Sequence, residues 1–230
     1  ASLEGAKYGL AFSSGMAAIS NVAGLLKKGD NVVICNDVYG GTHRLFNKVL
    51  RNYGITYSRA DATDEEQFNA ELKNERTKMV WFESPTNPLM VVLDIRRIAR
   101  AARDYGLISV IDNTFASPYL QQPLRLGATV VVHSTTKYIS GHSDLIGGAL
   151  ATSDRTLYQR LKFLQNAIGA VPSPFDCYLT LRGIRTLPLR MEQHSKNAVA
   201  VARLLQNSRK VRAVYYPFLR SSPYYRQAKR

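Results

Sequence analysis

Cysteine is scarce: the 230 residues hold two, Cys35 and Cys177. Two thiols so far apart give no disulfide framework, and the absence of any C-x-x-C pair removes the usual zinc and redox signatures. A reducing, cytoplasmic setting is the resulting expectation. Acidic residues are also few, 17 against 31 Lys and Arg, for a formal charge of +14. No apolar run approaches the ~18 residues of a membrane helix. The segment from Ala1 to Tyr8 lacks the basic stretch and long apolar core of a secretory signal. An initiator Met is missing, the opening reads as a helical lead-in, and the end is basic, Arg226 to Arg230. A fragment of a longer protein is therefore expected. What remains is 45% hydrophobic and 21% charged, a globular composition that excludes disordered and collagen-like chains.

The excess of basic residues raises the question of nucleic acid. Arg96, Arg97, Arg100 and Arg103 share one helix at spacings of three and four, the pattern of a solvated face. No zinc-finger spacing or RNA-binding aromatic motif accompanies them. A basic binding module is the weaker reading, and no nucleic-acid or membrane partner is expected.

Helices and strands alternate along the chain. Strands are predicted at Asn31 to Cys35, Ile55 to Arg59, Lys78 to Glu83, Leu107 to Ile111, Ala128 to His133 and Gly148 to Thr152. Helices are predicted at Met16 to Leu26, Gly41 to Asn52, Asp64 to Leu72 and Asp94 to Tyr105. Three more are predicted from Thr156 to Ala167, from Phe175 to Arg185, and from a Thr186 cap to Asn207. Val211 to Tyr216 is expected to begin a strand of a second domain. Strands separated by helices of this length predict an α/β fold with a largely parallel sheet covered on both faces.

Ligands of such sheets bind beyond the carboxyl ends of the strands. Four strands deliver polar or aromatic groups there. Asn36 to Gly41 includes Tyr39; Glu83 is followed by Asn87; Asp112 is followed by Asn113 and Thr114; Ser134-Thr-Thr leads to Lys137. A strand-end lysine in a low-dielectric site has a depressed pKa and can act as a nucleophilic amine. A buried Asp112 needs a cationic partner, which a protonated pyridine nitrogen would provide. Ser14, Gly15 and Met16 open a helix whose free N–H groups suit a phosphate, and the hydroxyls of Ser134 and Thr136 could join it. Tyr39 could pack locally or stack on a planar ring. His133 and His142 lack metal-ligand spacing, and no metal is assigned.

Five segments carry a resemblance: Ser13 to Met16, Asp37 to Thr42, Glu83 to Pro88, Ile111 to Phe115 and Ser134 to Asp144. In this order and spacing the chain resembles the pyridoxal-phosphate-dependent trans-sulfuration enzymes of cysteine and methionine metabolism. Gly169 to Tyr178 and Arg182-Gly183 resemble the cystathionine γ-lyase branch more than the γ-synthase or β-lyase branches. The resemblance implies the large domain of a fold-type I pyridoxal-phosphate enzyme, aspartate aminotransferase-like, over residues 1–185. Residues 186–230 would be an interdomain helix and the start of a C-terminal domain. It implies pyridoxal 5′-phosphate as a Schiff base on Lys137, with Asp112 at the pyridinium nitrogen and Tyr39 stacked on the ring. Ser14, Gly15, Met16, Asn87, Thr114, Ser134 and Thr136 would complete the cofactor site. Tyr39, Arg44 and Asn87 would contact an amino-acid substrate. It also implies a homotetramer, a dimer of dimers with shared active sites. The family's N-terminal arm and most of its C-terminal domain are absent from the sequence, so the isolated 230 residues are expected to be inactive.

Overall fold

Continuous apolar runs such as Val32–Cys35 and Val130–Val132 cannot keep a wet face, so they form strands covered on both sides. The computed structural model describes residues 1–229. Its sheet comprises β1 (Tyr8–Phe12), β2 (Asn31–Cys35), β3 (Thr56–Ala60), β4 (Thr77–Glu83), β5 (Ile108–Asp112), β6 (Val130–Ser134) and β7 (Gly148–Thr152). The spatial order is β1-β7-β6-β5-β4-β2-β3. Strands β2 to β6 pair in parallel, and β7 runs against both its neighbours.

Alternation along each strand sends successive side chains to opposite faces. Val32, Ile34, Met79, Trp81, Val110, Val130 and Val132 meet Ile19 and Val22 of α1 (Gly15–Ala23). Leu157 and Leu161 of a later helix, Arg155–Ile168, close the same layer. On the other face Val33, Val80, Phe82, Ile111 and Val131 meet Phe68 and Leu72 of Glu65–Leu72 and Ile95, Ile98 and Ala102 of Ile95–Asp104. Numbered in chain order, the helices after α1 are α2 (Gly40–Arg44), α3 (Glu65–Leu72), α4 (Ile95–Asp104), α5 (Ser117–Leu120), α6 (Arg155–Ile168), α7 (Pro174–Ile184), α8 (Leu187–Gln206) and α9 (Tyr225–Ala228). Ser14, Asp64, Asp94, Asp154 and Ser173 each accept a backbone N–H three residues on and fix the starts of α1, α3, α4, α6 and α7. Each such cap contributes about 1 kcal/mol.

Several expectations are corrected. The opening of the chain is not a helical lead-in: after a short 3-10 turn, Ser2–Glu4, it forms edge strand β1. Tyr8, Leu10 and Phe12 turn inward while Gly9 and Ala11 stay exposed, a period of two. The predicted helix from Gly41 to Asn52 divides into α2, a π turn (Leu45–Val49) and a 3-10 turn (Leu50–Tyr53). Val211 to Tyr216 forms no strand. Thr186 precedes α8 without capping it; its hydroxyl donates back to the Gly183 carbonyl instead. Within the arginine stripe, Arg97 is half-buried, lies over the Phe68 ring and donates to the Ala62 carbonyl. Arg96, Arg100 and Arg103 are exposed, as a solvated face requires.

Candidate active site

The carboxyl ends of β4, β5 and β6 and the first turn of α1 border one cleft of about 500 Å³. Ten of the residues expected at a site line it: Ser14, Gly15, Met16, Tyr39, Asn87, Asp112, Thr114, Ser134, Thr136 and Lys137. Arg44 does not; it is exposed at the end of α2. Glu83, Pro85, Phe115, Ile19 and Ile146 complete the wall.

Helix α1 reaches the cleft because its first residue has no side chain. A Cβ on Gly15 would sit 2.8 Å from Ser134 Cβ, so only glycine lets the helix end close on β6. Ser14 uses its hydroxyl on the Ala17 amide and its carbonyl on the Ala18 amide. The amides of Gly15 and Met16 remain, donors that the helix itself cannot satisfy. Helix geometry thus places two N–H groups and a positive dipole end beside the Ser134 hydroxyl. The Thr136 hydroxyl faces the same cleft but donates to the Gly147 carbonyl at 3.2 Å.

Tyr39 precedes Gly40-Gly41, and its ring folds back over Gly41, where a Cβ would lie 2.3 Å from Tyr39 Cε1. The loop is tied to the segment after β4. Asp37 Oδ2 accepts from Thr86 Oγ1 and from the Leu89 amide. Glu83 Oε1 accepts the Tyr39 amide at 2.7 Å. The segments 37–42 and 83–88 therefore act as one unit.

Asp112 and Glu83 are register partners on β5 and β4, so both carboxyls project from the same face. Burial raises Asp112 above the usual carboxylate range, against two hydrogen-bond contributions from Thr114 and the charge of His133. Its Oδ1 accepts the Thr114 amide at 2.9 Å, and the Thr114 hydroxyl in turn accepts the Ser134 amide at 2.8 Å, joining β5 to β6. Burial, then the charge of Asp112, pushes Glu83 up to about 9, against the amides of Tyr39 and Asn87. Among the described residues the sole acid–base side-chain pair within salt-bridge distance is Glu4–His133, hydrogen-bonded at 2.7 Å on the opposite face of the sheet. Asp112 has no cationic side chain paired with it. His142 Nδ1 lies 2.6 Å from the Ser140 carbonyl, so both histidines serve the scaffold.

The carboxyl pair gives a pH dependence. Across the window from 4.5, the ordinary value, to about 9, the folded cofactor-free chain keeps a proton on Glu83 that the unfolded chain releases. Its stability must fall as pH rises through that window. Glu83→Gln should flatten the fall, as read by denaturant unfolding at a series of pH values. An unchanged slope would mean that Glu83 is ionised in the folded protein.

Lys137 departs from expectation in one respect. It is exposed, not enclosed in a low-dielectric site, and stands in the turn after β6 at the rim of the cleft. Its amide donates to Ser134 O and its carbonyl accepts from the Gly141 amide. Glu83 is the residue that sequence reasoning left without a role. Its signal was present: a carboxylate closing an otherwise apolar strand, one residue before the Ser-Pro turn.

A helix N-terminus shaped by Gly15, a rim lysine, an aromatic side chain and a buried unpaired carboxyl meet at the carboxyl edge of a mostly parallel sheet. This is the architecture of a fold-type I pyridoxal-phosphate enzyme. The comparisons agree. The sequence pattern of the family described as Cys/Met metabolism PLP-dependent enzyme matches residues 1–230. A probable cystathionine gamma-synthase of Herpetosiphon aurantiacus is 49% identical over the whole chain, which covers 72% of that protein. A cystathionine beta-lyase of Coxiella burnetii is 48% identical over the whole chain, which covers 60% of it. The crystal structure of cystathionine gamma-lyase from Lactobacillus plantarum, complexed with L-serine, superposes with a TM-score of 0.97 at 43% identity, over 99% of this chain and 60% of that one. The chain belongs to the Cys/Met metabolism family of PLP-dependent enzymes. Pyridoxal phosphate is its cofactor, and the residues present fit it: the Gly15 cradle suits the phosphate, and Asp112 suits a cationic ring nitrogen. Near-equal identities to proteins named for different activities do not resolve which of these branches the chain belongs to. No helix of the described residues is long and apolar enough to cross a membrane.

Proposed function

We propose that this chain forms the cofactor-binding part of a lyase that cleaves L-cystathionine. With water, α,γ-elimination gives cysteine, 2-oxobutanoate and ammonia; release of hydrogen sulfide from cysteine is the expected side activity. The convergence of Lys137, Asp112, Tyr39 and the start of α1 on one cleft carries the reading. When bound, the cofactor supplies an electron sink for the carbanion formed at the substrate.

The chain's own residues do the rest. Lys137 Nζ would hold the cofactor covalently at rest, then move protons at the substrate's α and β carbons. Asp112 would supply the negative charge that a protonated ring nitrogen requires. Tyr39 offers an aromatic surface to the ring and a phenolic proton to the departing thiolate. The amides of Gly15 and Met16, Ser14 at the same turn and the hydroxyls of Ser134 and Thr136 would hold the phosphate. Thr136 must first turn its proton from Gly147. Asn87 would bind the ring oxygen or the substrate carboxylate. Thr114 positions Asp112 and Ser134 through its two hydrogen bonds.

The proposal includes a cytoplasmic homotetramer with shared sites. Phe163, Ile168, Phe175, Tyr178 and Leu181 on α6 and α7 are exposed, an apolar surface that supports self-association. Residues 1–185 would be the cofactor domain, and 186–230 the connection to the next one. The chain spans 60% and 72% of the two curated relatives described above. The γ-synthase reading rests on the 49% identity to such a relative. The full-length protein, purified and loaded with cofactor, separates the readings. Cysteine and 2-oxobutanoate from cystathionine support the proposal. Homocysteine and pyruvate would make it a β-lyase; cystathionine formed from cysteine and an acylated homoserine would make it a synthase.

A further inference from the structure

We propose that Glu83 is a positioning residue of this site: from beside Asp112, its buried carboxyl clamps the Tyr39 backbone and so fixes the aromatic wall of the cleft. The inference rests on the cofactor reading above and adds a residue that it does not use.

Four observations carry it. Glu83 is 4% exposed, so a carboxyl has been withdrawn from water at a strand end where a neutral residue would fold more cheaply. It is the register partner of Asp112 and shares its face of the sheet. Its Oε1 takes the Tyr39 amide at 2.7 Å across 44 residues of sequence. The side-chain tie from Asp37 to Thr86 and Leu89 lies two residues upstream of Tyr39, and the Tyr39 carbonyl only opens α2 by accepting the His43 amide, so Glu83 is the side chain that joins Tyr39 itself to the segment after β4. Tyr39 is 43% exposed, so packing alone does not fix it. With the Glu83 proton retained, the bond to Tyr39 uses a carbonyl oxygen and leaves Asp112 free to carry the charge.

The test compares Glu83→Ala with Glu83→Gln, whose amide oxygen can still accept. In the cofactor-free protein, hydrogen exchange at the Tyr39 amide should accelerate about tenfold or more in Glu83→Ala and return towards wild type in Glu83→Gln, as expected for losing one buried acceptor. In the loaded protein, pyridoxal phosphate dissociation should quicken about tenfold in the Ala variant, with Gln again restoring it. Glu83→Met keeps the volume without the acceptor and replaces Ala should that variant unfold. Wild-type exchange and dissociation in the Ala or Met variant would overturn the clamp. So would a Gln variant as damaged as Ala, since charge and not the acceptor would then matter. A wild-type protein that takes up no cofactor would sink the cofactor reading, and the exchange experiment would still judge the clamp by itself.

Discussion

Replacing Lys137 with alanine should leave a folded protein that borohydride can no longer couple to pyridoxal phosphate. The side chain is exposed at the rim of the cleft, and the turn that carries it is closed by backbone hydrogen bonds, Lys137 N to Ser134 O and Gly141 N to Lys137 O. Truncating it therefore removes little packing, and the stability change should stay within about 0.5 kcal/mol. The chemical change is total, because no other lysine lines the cleft. In the full-length protein turnover should fall by about 10³-fold or more, the range expected when a positioned proton-transfer group is removed. Mass spectrometry of the borohydride-reduced protein checks the first expectation and a steady-state assay the second. A reduced adduct of unchanged stoichiometry in the variant would remove Lys137 from the site.

That experiment addresses a residue which sequence alone could nominate. Asp112 closes β5, while Lys137, Asn87 and Tyr39 follow β6, β4 and β2, and the end of a parallel strand is a fixed address. Once the strands are found, topology brings their successors together. The strands were legible because Val32–Cys35, Val80–Phe82 and Val130–Val132 have no wet face. The starts of α3 and α4 were legible for a similarly local reason: Asp64 and Asp94, where those helices were expected to begin, each accept an amide three residues on.

What was not legible depends on neighbours distant in sequence. Strand β1 exists because β7 lies beside it, and its Gly9 and Ala11 weaken the local signal. The π turn at Leu45–Val49 carries Leu45 and Phe46 into the core, beside residues far from them in sequence. The exposure of Lys137 is a property of the rim, which the apolarity of the preceding strand does not determine. Arg44, which the resemblance implies at the substrate, lies outside the cleft. Glu83 was visible as a letter; its 2.7 Å bond to Tyr39 and its pairing with Asp112 required the register of β4 on β5.

Asp112→Asn should separate stability from function in opposite directions. Asparagine keeps the oxygen that accepts the Thr114 amide and removes a carboxyl whose ionisation burial disfavours. The cofactor-free protein should therefore be as stable as wild type at neutral pH, or more so. Its neighbour gains as well: the charge of Asp112 raises Glu83, so Glu83 should shift downward in the variant. Cofactor binding should move the other way. A cationic ring nitrogen held without its carboxylate loses roughly 3–5 kcal/mol, the cost of breaking a buried charge pair, or about 10²–10⁴-fold in affinity. Turnover should fall further, since an unprotonated ring is a poorer acceptor of the carbanion's electrons. Thermal unfolding with and without pyridoxal phosphate reads both effects: the loaded wild type should melt above its cofactor-free form, and the variant should lose most of that gap. If the gap persisted, the ring nitrogen would have another partner and Asp112 would be a structural carboxyl. Glu83, one strand away on the same face, is the group that could take over. Adding Glu83→Gln to Asp112→Asn tests this, because a gap that vanished only in the double variant would assign the charge to the pair and not to Asp112 alone.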